Sequence, residues 1–338
     1  MQASDFSYVL PTGSIAQKAI EPRDSARLLV TSTMAGHDFA DLPQLLESGD
    51  LLVVNHTKVR AARLSAVRVA TGGVVEVLLV KRVDALRWEA LFRPARRMRK
   101  GLMLEAGCLS IELLTDPVRG VGTVAVDAPG DVEGAIALVG QLPLPPYFHG
   151  SLERDDRYQT MFAKWVGSAA APTAALHFTP RVVSDLAERG VRIEPVELAI
   201  GRDTFRPMAD GSVAAHKIHC EAFHVPSETA RAIASTVQAG GRVIAVGTTV
   251  VRTLETAAES RGVVRVGAGE SDLFITPGFR PLIVDAMITN FHAPQTTLIV
   301  MIAALLGERW RTVYDYALAD RYRFLSFGDA MFIDQFAC

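Results

Sequence analysis

The stretch from Arg63 to Asp127 limits what this chain can fold into more than any other part of it. Short apolar runs alternate there with turns made of Gly, Asp and Pro. Four runs carry the pattern: Val74–Val80, Trp88–Phe92, Leu109–Leu114 and Gly122–Val126. Runs of this length and spacing predict a small all-β domain, barrel-like, that is inserted into the rest of the chain. We place this domain at residues 63–141.

The remaining sequence predicts an α/β main domain formed by residues 1–62 and 142–338. The tract Leu142–Tyr147 indicates an extended connection, because each proline biases the residue before it away from the helix. Beyond Ala171, strand-like and helix-like segments alternate, as they do in α/β proteins. The predicted helices are Pro180–Arg189, Ser227–Ala239, Thr249–Glu259 and Thr296–Leu306. The predicted strands are Arg192–Leu198, Arg242–Val246 and Leu282–Ile288.

Composition narrows the class of protein. With 49% hydrophobic and 21% charged residues among 338, the chain is globular and long enough for two domains. Its three widely spaced cysteines are typical of a reducing compartment. The N-terminus lacks a secretion signal, and the longest apolar run, Leu298–Leu306, is far shorter than the roughly 20 residues of a membrane span. We therefore expect a cytoplasmic protein that does not contact a membrane.

The net charge of −2 does not by itself indicate a nucleic-acid partner, so such a contact would need a local basic patch. The densest patch is Arg93–Lys100, which reads Arg-Pro-Ala-Arg-Arg-Met-Arg-Lys. Two interpretations are open: a solvated hairpin, or a segment that contacts phosphates.

A glycine turn is the first candidate for a binding site. Gly247-Thr248-Thr249 follows the apolar run Arg242–Val246 and precedes a helical pattern. A helix that starts here brings unpaired backbone N–H groups and a positive dipole end together, which suits a carboxylate or a phosphate. The alternative is an ordinary N-cap on a helix that only packs.

Polar residues at a strand end form the second candidate. In Asp285–His292, polar groups run out of an apolar strand into a loop. Ligands of open α/β sheets bind beyond the carboxyl ends of strands, so Thr289, Asn290 and His292 are well placed. Near the C-terminus, Tyr322–Met331 is either a closing lid or simple packing. Its polar members are Arg323, Ser326 and Asp329.

Two segments contain histidines. Pro172–Thr179 has two threonines and His177 ahead of a predicted helix, a weak signal because a lone histidine is more often structural. In His216–Glu221, two histidines three apart lie beside a thiol and a carboxylate. They suit metal ligation or a proton-transfer group with its orienting carboxylate. Further metal ligands would have to come from distant histidines, so the pattern favours acid–base or hydrogen-bonding work.

Together these segments resemble one family, the S-adenosylmethionine:tRNA ribosyltransferase-isomerases of queuosine biosynthesis. The similarity runs nearly end to end, and the shared order of many segments is more specific than any one motif. The segments that carry it are Asp5–Pro11, Arg27–Val30, Asn55–Val59, Ala62–Leu64, Leu142–Tyr147, Tyr158–Thr160, Ala171–Phe178, His216 with His219 and Glu221, Val246–Glu255, Asp285–His292 and Tyr322–Ile333. The resemblance implies an α/β main domain interrupted by a small β-barrel.

The resemblance also implies an unusual reaction. S-adenosylmethionine donates its ribosyl part to the aminomethyl group of a 7-deazaguanine in a tRNA anticodon stem-loop, and adenine and methionine leave. A sulfonium acidifies the neighbouring CH₂, so a positioned base can take a proton, and adenine departure needs an acid. No metal or redox cofactor is required. The sequence does not fix the oligomeric state, and we favour a monomer.

Candidate residues can be named for each part of this reaction. From their clustering alone, we expect His177 or His219 to be the base, oriented by Glu221, with His216 in the same catalytic group. Residues expected to bind S-adenosylmethionine are Thr173, Thr248, Thr249, Arg252, Asp285, Thr289, Asn290 and His292. Residues expected to bind the acceptor are Arg63, Tyr147, Thr204, Arg323, Ser326 and Asp329.

One segment departs from the family pattern. Where members read Leu-His-Val-Gly-x-Gly-Thr-Phe, the segment Leu198–Phe205 has Ala199 for the histidine and Asp203 for the second glycine. Losing a glycine and adding charge should reshape a pocket wall. A second hypothesis follows: the same cleavage with a free deazapurine as acceptor, or with none. A third, a nucleic-acid-binding module with a degenerate site, is disfavoured because Val246–Glu255 and Asp285–His292 are full of polar groups with no evident packing role.

Overall fold

A computed structural model of the chain describes residues 1–150, 152, 154–201, 207–216, 218 and 220–337. The strands are β1 (Arg27–Val30), β2 (Ala35–Asp38), β3 (Leu51–Asn55), β4 (Thr57–Val59), β5 (Arg63–Arg68), β6 (Val74–Arg82), β7 (Arg87–Arg93), β8 (Met103–Ala106), β9 (Leu109–Leu113), β10 (Val121–Asp127), β11 (Trp165–Ser168), β12 (Arg192–Leu198), β13 (Glu221–Val225), β14 (Val243–Val246), β15 (Ala258–Ser260), β16 (Val263–Val264), β17 (Gly267–Ser271), β18 (Ala286–Asn290) and β19 (Ala330–Ile333). The helices are α1 (Leu42–Leu45), α2 (Val132–Val139), α3 (Pro180–Glu188), α4 (Ser227–Gln238), α5 (Thr248–Ala257), α6 (Thr297–Leu306) and α7 (Arg309–Ala319).

The chain forms two compact units. One consists of Met1–Lys58 and Pro145–Cys338, and the other of Val59–Leu144. The first unit contains a nine-stranded mixed sheet with helices, and the second a closed six-stranded barrel. The predicted fold class, an α/β main domain with an inserted barrel-like domain, is confirmed.

The large sheet has the strand order β17-β13-β12-β3-β14-β18-β19-β1-β2. Its centre is parallel, since β12, β3, β14 and β18 pair in parallel register. Alternate residues of β3 enter two different hydrophobic clusters, with Leu51 and Val53 in one and Leu52 and Val54 in the other. A strand buried on both faces needs apolar residues at every position, which explains its continuous apolar sequence.

The helices that the sequence predicts are present, with ends that differ by one or two residues. Helix α6 is apolar on all sides because nine of its ten residues are buried, and Thr296 caps it by accepting a hydrogen bond from the N–H of Ile299. None of the helices in the described part of the chain is long and apolar enough to cross a membrane.

The prediction of a strand at Leu282–Ile288 was wrong in its position, since β18 spans Ala286–Asn290. The Glu255 carboxylate accepts hydrogen bonds from the N–H groups of residues 282, 283 and 284, at 2.8 to 3.0 Å. These N–H groups therefore donate to a side chain of α5 and not to the carbonyl groups of a neighbouring strand.

The barrel has the strand order β10-β7-β6-β5-β8-β9, and every pair is antiparallel. Buried residues alternate with half-buried or exposed ones along β5 and β10, as expected when one face points into the core. The fully buried core includes Trp88 and Met98, and α2 adds Ile136 to it. Closure leaves this sheet without a free edge.

Candidate active site

A pocket lies at the carboxyl ends of the central parallel strands, the edge that the sequence indicates. It encloses about 610 Å³ of atom-free space, its open mouth included. The residues that line it are Tyr147, Ala171, Pro172, Thr173, Ala174, Ile200, Gly247, Thr248, Thr249, Thr289, Asn290, His292, Ala293, Thr296, Leu298, Leu325 and Ser326.

One wall of the pocket is the beginning of α5. Gly247 has a φ of +98°, a conformation open to glycine and costly for other residues. Its N–H donates to the Ile288 carbonyl, at 2.8 Å. The helix then begins with Thr248 and Thr249, whose N–H groups belong to the first turn and have no carbonyl partner within the helix. This end of α5 therefore offers donors and a positive dipole end to an anionic group.

Asn290 ends β18 and is held in one orientation. Its Nδ2 donates to His177 Nε2 at 3.2 Å and to the Asp329 carbonyl at 3.3 Å. Its Oδ1 accepts from Thr173 Oγ1 at 2.8 Å. The backbone of Arg23 also hydrogen-bonds the His177 ring and favours its protonated form, as a carbonyl acceptor does. That bond leaves Nε2 as an acceptor, so the amide group of Asn290 must point its nitrogen at the histidine and its oxygen at the threonine.

His177 itself does not line the pocket. It is buried behind Asn290, and its ring packs 5.1 Å from the ring of Phe39. Burial lowers its pKa to about 4, so the ring is neutral at pH 7. In the structure, His177 contacts Asn290 and orients it. The prediction from the sequence was that His177 acts as a base.

His292 is the described histidine that does line the pocket. Its Nε2 lies 2.9 Å from Thr289 Oγ1. Its backbone is fixed on both sides, because its N–H donates to the Tyr314 hydroxyl at 3.0 Å and its carbonyl accepts from the Tyr8 hydroxyl at 2.5 Å. Burial lowers the pKa of His292 to about 3, so it too is neutral at pH 7.

Tyr147 and Ser326 form a further polar group in the lining of the pocket. Their hydroxyl oxygens are 2.5 Å apart, and burial raises the pKa of Tyr147 to about 12. Ser326 follows Leu325, which has a φ of +69°. A branched side chain with positive φ is uncommon and is held by its surroundings, here by an N–H bond to the Phe291 carbonyl at 3.0 Å.

Arg252 and Glu221 pair with each other away from the pocket lining. Both are buried, and the guanidinium of Arg252 donates to the carboxylate of Glu221 and to the carbonyls of Ser271 and Leu273. The other oxygen of Glu221 accepts from the Gly201 N–H at 2.6 Å. These two residues thus join α5 to β13 and to the chain after β12.

The remaining predicted residues are dispersed. Arg323 and Asp329 form an ion pair at 2.9 Å, and Asp285 accepts from the Val243 N–H and pairs with Arg261. The ring of His216 lies 5.8 Å from that of Phe274. Arg63 belongs to the barrel, where it donates to Gln141 Oε1 at 3.0 Å. His219 and Thr204 lie outside the described residues.

Sequence reasoning missed Asn55, at the end of β3. It is fully buried, its Nδ2 donates to the Leu198 carbonyl at 3.1 Å and to Thr249 Oγ1 at 3.4 Å, and its Oδ1 accepts from the N–H of Leu198. An asparagine that ends an otherwise apolar run, Leu51–Val54, is the signal that could have identified it.

Fold and pocket define a class: an α/β protein with an inserted barrel, whose pocket suits a small molecule with one anionic end and a hydrogen-bonding body. Among sequence families, the model described as "Queuosine biosynthesis protein" matches residues 3–333. The chain belongs to this family.

Individual relatives agree with that membership. The chain is 46% identical over 340 residues to the S-adenosylmethionine:tRNA ribosyltransferase-isomerase of Symbiobacterium thermophilum, covering 98% of this chain and 100% of that one. It is 45% identical to the enzyme of the same name from Pelotomaculum thermopropionicum, with the same coverage. A crystal structure of S-adenosylmethionine tRNA ribosyltransferase from Thermotoga maritima is 35% identical, with a TM-score of 0.55, over 97% of this chain and 99% of that chain.

Proposed function

We propose that this protein transfers and isomerises the ribosyl part of S-adenosylmethionine onto the aminomethyl group of a 7-aminomethyl-7-deazaguanine in tRNA, forming epoxyqueuosine and releasing adenine and methionine. Membership of the queuosine biosynthesis family supports the reaction. The observation that carries the proposal for the site is the pocket at the strand ends, where a helix N-terminus and an oriented asparagine meet.

The N-terminus of α5 holds the methionine carboxylate. Thr248 and Thr249 line the pocket, and the described residues that line it include no carboxylate side chain. A carboxylate at this end of a ten-residue helix is stabilised by the free donors and by the dipole. Arg252 supports this wall from behind through Glu221 and does not bind the carboxylate itself.

Asn290, Thr173 and the pair Thr289 and His292 hold the nucleoside. The Asn290 oxygen keeps a second lone pair when it accepts from Thr173, so it can accept an N–H from a base. Neutral side chains in this wall avoid repulsion with a sulfonium cation. A histidine that was protonated before the reaction would oppose that cation, and burial keeps both His177 and His292 neutral in the resting site.

His292 takes the proton next to the sulfonium. Among the described residues, it and Tyr147 are the titratable side chains on the pocket wall. The neutral imidazole has the lone pair that a base requires, whereas the phenol keeps its proton. Tyr147 and Ser326 are therefore suited to donate a hydrogen bond as adenine leaves. His219 keeps its place as the sequence's other candidate base.

The acceptor is tRNA, as the names of the relatives indicate for those proteins. No observation favours the free deazapurine or an acceptor-free reaction. The segment Leu198–Phe205, which raised that alternative, is described as far as Gly201. In its described part, the apolar side chains of Leu198 and Ile200 are buried.

The test combines substrate and variant. The protein is incubated with S-adenosylmethionine, with and without tRNA that carries the aminomethyl-deazaguanine, and adenine and methionine are quantified. We expect release with that tRNA, and a labelled methyl group that stays on methionine. Asn290→Ala should lower kcat/KM by roughly tenfold to a hundredfold, since it removes buried hydrogen bonds worth about 1–3 kcal/mol.

Arg231→Gln is the matched control, because Arg231 is exposed on α4 and pairs only with Glu228 among the described residues. It should leave kcat/KM unchanged. Methyl label on the product, or no affinity for S-adenosylmethionine by calorimetry, would refute the proposed function. Equal rates for Asn290→Ala and Arg231→Gln would refute the role of Asn290.

A further inference from the structure

One end of the barrel concentrates positive charge. At this end β5, β7 and β9 finish and β6, β8 and β10 begin, so three connecting loops meet there. Seven Arg and Lys residues lie on these loops or at the strand ends beside them, and all but Arg68 are exposed. We call them the basic barrel end: Arg68, Arg93, Arg96, Arg97, Arg99, Lys100 and Arg119.

All residues of the barrel unit are described. None of these seven side chains forms an ion pair with a described residue. The opposite end of the same barrel is different. There Arg60 and Arg82 both pair with Glu133, at 3.1 and 3.2 Å, and Arg87 pairs with Asp84. Three arginines at the opposite end are thus paired with carboxylates, whereas none of the seven cations of the basic barrel end is.

Acidic groups near the basic barrel end do not balance it. Asp116 uses one carboxylate oxygen to accept the Lys100 backbone N–H, at 2.8 Å. Glu76 lies opposite Arg93 in the register of β6 and β7, without an ion pair between them. The barrel unit holds twelve Lys and Arg against nine Asp and Glu, although the whole chain has a net charge of −2.

The loop that carries most of these cations is structured. Met98 is fully buried and anchors it in the barrel core. The N–H of Gly101 donates to the Leu113 carbonyl at 2.7 Å, and the N–H of Phe92 to the Gly120 carbonyl at 2.9 Å, which ties the neighbouring loops together. Arg68 donates to the Arg96 carbonyl at 3.4 Å. Cations on a fixed frame lose less conformational entropy on binding than cations on a free tail.

We infer that the basic barrel end binds the phosphate backbone of the tRNA substrate. Phosphate contacts from Arg and Lys supply sequence-independent affinity and release counterions. The exposed apolar side chains at this end are Val67, Val69, Val74, Met103 and Val118, and they include no aromatic ring for stacking on bases. The surface is thus suited to backbone contact rather than to reading bases. This inference rests on the proposed function, which makes tRNA the acceptor.

The test neutralises three exposed cations of this end: Arg96→Gln, Arg97→Asn and Lys100→Gln in one protein. Asn is used for Arg97 because its φ of +70° suits asparagine. The Kd for tRNA should rise at least about tenfold near physiological salt, and the slope of log Kd against log salt should fall by about two. The KM for tRNA should rise with it, while kcat and the affinity for S-adenosylmethionine stay unchanged.

The matched control removes three exposed cations elsewhere: Lys81→Gln at the opposite barrel end, with Arg231→Gln and Arg265→Gln. It should behave like the unaltered protein. A second variant, Arg93→Gln with Arg119→Asn, avoids the Arg96–Lys100 loop and should also raise the Kd for tRNA. Circular dichroism and thermal unfolding confirm the fold of each.

A triple variant whose Kd and salt slope match those of the control would overturn the inference. An equal loss of tRNA affinity in the triple variant and in the matched control would also overturn it, because the loss would then depend on the total charge of the protein and not on this surface. If the unaltered protein releases no adenine with tRNA, the proposed function fails instead. The directly measured Kd and salt slope would then still decide whether the barrel end contacts RNA.

Discussion

At the scale of single residues, burial decides what the histidine in the pocket and the one behind it can do. His177 has its pKa lowered to about 4, below the ordinary value of 6.5, because burial penalises the charged ring. The unfolded chain therefore binds a proton at a pH where the folded protein does not. The stabilisation is complete above the unfolded pKa of 6.5 and is lost as the pH falls towards 4. His292, with a pKa of about 3, acts in the same direction.

We therefore expect the free energy of unfolding to fall as the pH is lowered from about 7 to about 5, with His177 contributing roughly 2 kcal/mol to the loss. Urea denaturation at the two pH values measures it. His177→Gln has no titrating ring, so its stability should depend less on pH. Its KM for S-adenosylmethionine should rise because Asn290 loses one of the contacts that orient it. A variant with the parent's pH dependence would show that His177 does not titrate this way.

At the scale of elements, the turn between β14 and α5 determines the anion-binding wall. Gly247→Ala adds a Cβ only 3.5 Å from that of Ala174, an ordinary contact, but it forces alanine into a φ of +98°. We expect a loss of about 1–3 kcal/mol in stability. The affinity for S-adenosylmethionine should fall more than tenfold, because the strained residue displaces the first turn of α5. Isothermal calorimetry and denaturation measure the two effects.

Gly240→Ala is the comparison for this change. Gly240 also has a positive φ, of +78°, follows α4, and has open space where a Cβ would be. It should lose stability through backbone strain and keep the affinity of the parent. If both variants bind S-adenosylmethionine equally well, the start of α5 does not hold the ligand.

At the scale of the whole molecule, the barrel has the features of an autonomous unit. It is closed, has its own hydrophobic cluster, and contains one tryptophan, Trp88, which is fully buried. We expect residues 59–144 to fold when expressed alone, with a cooperative transition in tryptophan fluorescence and modest stability because the unit is small. In the same fragment Gly140→Ala should abolish the transition, since its Cβ would lie 1.7 Å from the Ala61 carbonyl oxygen. A fragment without a transition would make the barrel dependent on the rest of the chain.

Features determined by local sequence could be predicted from the sequence alone. The alternation of strands and helices, the barrel-type runs and the glycine turn before α5 each depend on residues within a few positions. Thr248, Thr249, Thr289, Asn290 and His292 could be placed at a pocket because each follows or ends a strand whose carboxyl end must lie at that edge of the sheet.

The roles of residues whose partners are distant in sequence were decided by the tertiary structure. Arg252 meets Glu221 across 31 positions, and Asn290 meets His177 across 113. No local pattern predicts such contacts. Burial determines whether a histidine is charged, and it exists only after the chain has packed. The sequence by itself determined the fold class and the edge that carries the pocket. Packing decided which polar groups face a ligand and which hold those groups in place, because that depends on long-range contacts and on exclusion of water.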